Sequence, residues 1–135
     1  MPRATISALC LMLGAAAPVQ AHHSFAAQFD PNEPITLHGV VTRVEWHNPH
    51  VYFYVDVTDE KTGEAVNWGL EMGPPHQLER RSWKRNSMQI GDVVTVEATR
   101  ARDGSPLANA RKVTLAATGQ VLGAASSEAQ TIGRE

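Results

Sequence analysis

The sequence predicts an all-β domain with one short helix, folded as a five-stranded OB-like Greek-key barrel. Two segments alternate apolar and polar residues with a period of two, as a half-buried strand requires. Three further β-type runs complete a set of five. The one segment that breaks the pattern, GPPHQLERRSWKR, falls between the third and fourth runs, where an OB barrel carries its helix.

The chain has 135 residues and opens with an address rather than a fold. Arg3 precedes an uncharged run, Ala4 to Ala21, rich in Leu, Met and Ala and ending Val19-Gln20-Ala21. A charged start, a short apolar centre and a small-residue exit predict a secretory signal peptide over residues 1–21. The centre is too short for a permanent membrane anchor. Cleavage after Ala21 would send the mature chain to the periplasm or beyond. It would also remove Cys10 and Arg3, leaving no cysteine and 11 basic against 14 acidic residues, a net charge of −3. The remainder, about 114 residues, suffices for one domain that buries roughly 65% of its unfolded surface. A mildly acidic exported domain argues against nucleic acid as a partner, since that binding rests on neutralising phosphates.

Within the mature chain, residues 22–34 read as an extended arm, because Pro31 and Pro34 deny it regular structure. Phe25 and Phe29 could dock that arm on a core. Ile35 to Trp46 is a long first strand with a bend expected at Gly39. HNPH then turns the chain. Val51, Phe53, Val55 and Val57 face one way on the second strand, with Tyr52, Tyr54 and Asp56 the other. TDEKTGEA is a hairpin loop, and Val66, Trp68, Leu70 and Met72 define the third strand. Pro74-Pro75 opens the helix, whose Leu78 and Trp83 would plug one end of the sheet. The Gly91-Asp92 turn leads into the fourth strand through Val94, Val96 and Ala98, and NARKVTL is the fifth. The barrel is therefore expected over 35–115, followed by a disordered Ala/Gly/Ser/Thr-rich tail over 116–135.

AHHSFAAQFD, EWHNPH, VNWGLEMGPP and GDVVTVEATRARDGSPLANARKVTL resemble a group of small exported bacterial proteins catalogued as domain of unknown function 6152. The resemblance runs from about Ala21 to Leu115 and is most specific at His-His-Ser-Phe and Glu-Trp-x-Asn-Pro-His. It implies export and a single small β-domain, and it supplies no catalytic residue. This chain departs from the pattern at Ile90, where a proline commonly precedes the Gly-Asp turn, and it carries His47 at the variable x position.

Histidine placement is the strongest chemical signal. Five of the six histidines lie between His22 and His50. Cleavage after Ala21 would leave an α-amine beside His22 and His23, able to chelate through amine, amide and ring nitrogens. Nitrogen-rich tetragonal sites favour Cu(II). His50 first, and His47 second, could add a ligand from the turn after the first strand. Set against this, paired histidines near a chain end are common, and His50 could simply cap its turn. Met72 and Met88 read as core, His38 and His76 as structural or exposed.

Two other groups of residues invite a partner. Arg80, Arg81, Lys84 and Arg85 surround Trp83, a pattern suited to an anionic envelope component, although the cations could equally solvate a helix while Trp83 fills the barrel end. Trp46, Tyr52 and Tyr54 could present an aromatic face to a protein or glycan. Glu45 and Glu71 could form a carboxylate pair, but no nucleophile elbow, phosphate loop or metalloprotease helix is present, and catalysis is not expected. Two functions remain: a small exported protein binding Cu(II) or a related metal through its N-terminus and histidines, or an interaction module contacting an envelope protein or glycan without metal.

Overall fold

A computed structural model describes residues 25–126. The elements run α1 (Phe25–Gln28), β1 (Phe29–Glu45), β2 (Tyr52–Thr58), β3 (Ala65–Glu71), α2 (Pro75–Glu79), β4 (Val93–Ala101), β5 (Leu107–Leu115) and β6 (Val121–Gly123). The class is all-β, as the alternating runs require. Among the described residues no helix is long and apolar enough to cross a membrane.

The length of β1 organises the sheet. With 17 residues it pairs antiparallel with β2 through Val40–Glu45 and with β4 through Pro34–Val40. One strand thus serves two neighbours and bends the sheet. β2 pairs with β3, β4 with β5, and a short parallel ladder joins β3 to β5 at Gly69–Leu107, Leu70–Ala108 and Glu71–Asn109. That last ladder closes the ring β1-β2-β3-β5-β4, the strand order of an OB barrel.

Inward positions alternate as the sequence predicts: Phe53 and Val55 on β2, Leu70 on β3, Val94, Val96 and Ala98 on β4, Ala108 and Ala110 on β5 are fully buried. α2 and the turn after it insert Leu78, Trp83 and Met88 into the same core, and Met72 joins them. The Trp83 indole donates to the Gly123 carbonyl at 2.9 Å, so burial leaves its N–H satisfied.

Three expectations need correction. The arm over 22–34 is not a plain extended lead-in. Phe25 to Gln28 form a helical turn, and β1 begins at Phe29. Pro31 is tolerated because the ladder to β4 skips from Phe29 to Pro34, so no N–H is needed from the chain between, and Pro34 stands where pairing resumes. Phe25 and Phe29 stack at 5.4 Å and pack with Ala101 and Leu107 in a cluster separate from the main core. Arg102 ties this segment down, its Nε donating to the Ala26 carbonyl at 2.7 Å and its terminal nitrogen reaching Asp30 at 3.3 Å. Burying each ring contributes about 1.5–3 kcal/mol, enough to offset ordering roughly a residue or two of backbone.

The irregularity in β1 lies between Val41 and Arg43 rather than at Gly39. Gly39 is required for a different reason: a Cβ there would strike the Asp56 carbonyl of the neighbouring strand.

The tail is not disordered from residue 116. β5 uses its first residues to pair with β3, which leaves its second half without that neighbour. β6 fills the place, pairing Val121–Gly123 with Lys112–Thr114. Leu122, Ala124 and Ala125 are buried, and Gly73 has no side chain because Ala125 sits against it, its carbonyl 2.5 Å from where a Cβ would stand. The expectation for 127–135 lies outside the described residues.

Leu122→Ala should therefore lower unfolding free energy by about 2–4 kcal/mol. For a domain of this size that is a fall in Tm of roughly 10–20 °C, read by circular dichroism. A change within about 0.5 kcal/mol would make the last strand a surface appendage.

Candidate binding site on the outer face of the barrel

The site is built on one row of residues. Strand register sets Glu45 opposite Tyr52, Tyr52 opposite Glu71, Glu71 opposite Asn109, and Asn109 opposite Thr99. Their chain neighbours Phe53, Leu70, Ala108 and Ala98 fill the core, so the row faces outward. Even so, Glu71, Asn109 and Thr99 are the buried polar residues among those described, Glu71 being only 4% exposed. Part of the cover is the stretch that follows β6. The Gly73 amide donates to the Ala124 carbonyl, and the Ser126 hydroxyl bonds to Asn109 Oδ1.

A buried carboxylate is costly unless both oxygens find donors. Glu71 meets that demand. Tyr52 donates its hydroxyl to Oε2 at 2.6 Å, Asn109 Nδ2 reaches Oε1 at 3.2 Å, and His50 Nδ1 lies 2.9 Å from Oε1. Burial first, then the bond to Glu71 and its charge, push the Tyr52 phenol far above the ordinary value of 10.0. A carboxylate only accepts, so Nδ1 of His50 carries the hydrogen, and in the neutral ring Nε2 keeps the lone pair. The His50 side chain is 35% exposed, at the end of a turn that contains a cis peptide bond between Asn48 and Pro49.

A second, more exposed group surrounds Glu45. Arg43 reaches Oε1 at 3.3 Å, the Tyr54 hydroxyl reaches Oε2 at 3.4 Å, and His47 Nε2 lies 3.7 Å from the same oxygen. The Arg43 guanidinium covers the Tyr54 ring at 3.8 Å. His47 also has its Nδ1 3.1 Å from the Asn48 carbonyl. Both its nitrogens are thus engaged, which distinguishes it from His50.

The structure separates the residues singled out in the sequence. His50, Tyr52 and Glu71 come together, while His47 and Tyr54 belong to the Glu45 group. Glu45 and Glu71 flank Tyr52 from opposite strands rather than facing each other. Trp46 packs against the main core, with its Nε1 buried and lacking a hydrogen-bond partner. Arg80, Arg81, Lys84 and Arg85 are exposed around a buried Trp83. His22 and His23 lie outside the described residues. His38 bonds across to Thr95 at 2.9 Å, and His76 is exposed on α2. Among the described residues, no three His, Cys, Asp or Glu side chains converge as a metal-ligand set. Asn109 was not singled out in the sequence. Its one signal is a polar amide among the small and apolar residues of a strand that must lie on a closed barrel.

The family model described as Family of unknown function (DUF6152) matches residues 10–110. The chain belongs to that family. Among curated proteins none matches. Among solved structures, a mitochondrial single-stranded DNA-binding protein of S. cerevisiae is similar at 13% identity, covering 65% of this chain and 94% of its own, with a TM-score of 0.49. The exclusion of nucleic acid drawn from net charge is corrected by this neighbour, because a chain of similar fold carries that description. The likeness is one of fold and assigns no ligand here.

The Tyr52 environment is open to a direct check. The folded state favours its neutral phenol, so the stability this group contributes is present below pH 10 and is lost as pH rises beyond the ordinary tyrosine value. A tyrosinate absorbance titration should show a component that ionises only at strongly alkaline pH, and Tyr52→Phe should lack it. Ionisation of both tyrosines together near pH 10 would contradict the buried bond to Glu71.

Proposed function

We propose that this member of the DUF6152 family is an exported transition-metal-binding protein, taking Cu(II) or a related ion at His50 together with the mature N-terminus. The observation that carries the reading is the Glu71–His50 pair. A histidine that ligates a metal through one nitrogen characteristically donates the other N–H to a carboxylate, which fixes the tautomer and raises the basicity of the ligating nitrogen. His50 has that arrangement, with Nδ1 on a buried, threefold-bonded Glu71 and Nε2 without a protein partner among the described residues.

The course of the N-terminal segment supports the same reading. Phe25 belongs to the cluster that Leu107 packs against; Leu107 lies two residues before Asn109 on β5, and Asn109 contacts Glu71. If cleavage follows Ala21, His22 and His23 precede Phe25 by two or three residues, a reach of up to about 10 Å. Strand geometry makes the steps from Leu107 to Asn109 and on to Glu71 about 7 and 5 Å. The α-amine, two N-terminal imidazoles and His50 Nε2 would give a nitrogen-rich set without thiolate, the kind Cu(II) prefers. His47 is the weaker ligand in this scheme because both its nitrogens are engaged.

The competing reading, an interaction module presenting Trp46, Tyr52 and Tyr54, draws less support. The tyrosine hydroxyls are tied to Glu71 and Glu45, and Arg43 covers the Tyr54 ring. A partner would have to displace those contacts.

Protein beginning at His22 should bind one Cu(II) in calorimetric and electron-paramagnetic titrations. Adding one residue before His22 should weaken binding sharply by removing the chelating amine. Glu71→Gln should weaken it roughly 10–100-fold by releasing the His50 ring, with circular dichroism confirming the fold. Equal affinity for native, extended and His50→Ala proteins would end the proposal.

A further inference from the structure

The barrel has a second end. α2 follows Glu71, which is opposite Tyr52, so its plug lies at the Tyr52 end of β2. At the other end the β2–β3 hairpin and the β4–β5 loop border an open mouth of about 400 Å³. Its walls are Leu37 from β1, Val57 from β2, Val66 and Trp68 from β3, and Arg100 from β4, with Asp59 on the rim.

Arg100 is out of place among these apolar side chains. It stands two residues beyond the fully buried Ala98 and opposite the fully buried Ala108, so strand alternation turns it inward. Its guanidinium lies 5.6 Å from the centre of the Trp68 ring, and its Nε is buried with no hydrogen-bond partner. Among the described residues no carboxylate pairs with it. The one acid lining the mouth, Asp59, is committed elsewhere: its Oδ1 accepts the amides of Lys61 and Thr62 at 2.8 and 3.0 Å, bonds that hold its carboxyl below the usual range. The side chain is half-buried at the mouth with its Nε shielded from water and unpartnered, and the planar fork of donors matches a carboxylate.

We propose that this mouth binds a small organic anion, a carboxylate carried on a planar apolar body. The carboxylate would pair with Arg100. The body would lie along Trp68 and the aliphatic wall of Leu37, Val57 and Val66. Barrel mouths lined by apolar side chains with one convergent charge are a recurrent form of ligand site. An inorganic anion would leave that wall unused, and a neutral ring would leave the guanidinium unpaired. The site is separate from the Glu71–His50 pair and does not depend on a metal.

The test uses 2-naphthoate and its neutral counterpart 2-naphthylmethanol, titrated into metal-free protein and followed by the indole N–H resonance of Trp68, assigned with Trp68→Phe. Naphthoate should shift that resonance saturably and bind roughly tenfold or more tightly than the alcohol. Added salt should weaken only the acid. In Arg100→Met, which keeps the apolar stem, the two affinities should converge. Equal affinity of acid and alcohol for the native protein would overturn the proposal, as would shifts confined to Trp46 or Trp83. Those two outcomes decide the matter even if Arg100→Met does not fold.

Discussion

The short parallel ladder between β3 and β5 is the constraint on which the rest of the structure depends. Three residue pairs turn a strip of strands into a closed ring. Closure pairs these stretches of β3 and β5, which would otherwise offer free amides and carbonyls to other chains. It also fixes which residues become neighbours. Glu71 meets Asn109 because these strands meet, and without Asn109 one oxygen of a buried carboxylate would lose a donor. Gly69 lies in the same ladder, with Leu107 and the Tyr54 ring close to where its side chain would be, and its amide bonds to the Pro106 carbonyl.

Closure also divides labour between the faces. Inward positions supply the core and, at the open end, Arg100 and Trp68. Outward positions at the plugged end supply the row from Glu45 to Thr99. Strand register sets the row itself, and Tyr52 and Asn109 hold Glu71 from the adjacent strands. His50 gains from such a base, because Glu71 orients its ring.

Much of this was legible in the sequence, for physical reasons that also mark where reading stops. β2 and β3 alternate because one face is packed and the other wet, and that contrast survives in composition. α2 announced itself by Pro74-Pro75 and by breaking the period. The start of β1 did not, since Pro31 is compatible with a strand only where a ladder skips it, and skipping is a property of the partner strand. β6 was hidden for a related reason. Ala124 and Ala125 are buried by the backbone around Gly73 rather than by their own hydrophobicity, so nothing in a low-complexity tail distinguished them. The Glu71–His50 pair was partly visible as two suspicious residues, but Asn109 comes from a strand 38 positions away, across a parallel pairing that no local pattern encodes.

The place of β6 has a consequence for how the chain becomes a protein. Gly123 receives the Trp83 indole, Ala125 closes on Gly73, and Ser126 joins Asn109 over the buried carboxylate. These contacts span long stretches of sequence and join residues that follow the rest of the barrel in the chain. Until residues 121–126 are made, the aromatic plug and the buried carboxylate lack that covering, so cooperative folding waits for β6. The barrel reaches its full set of contacts only once β6 is in place.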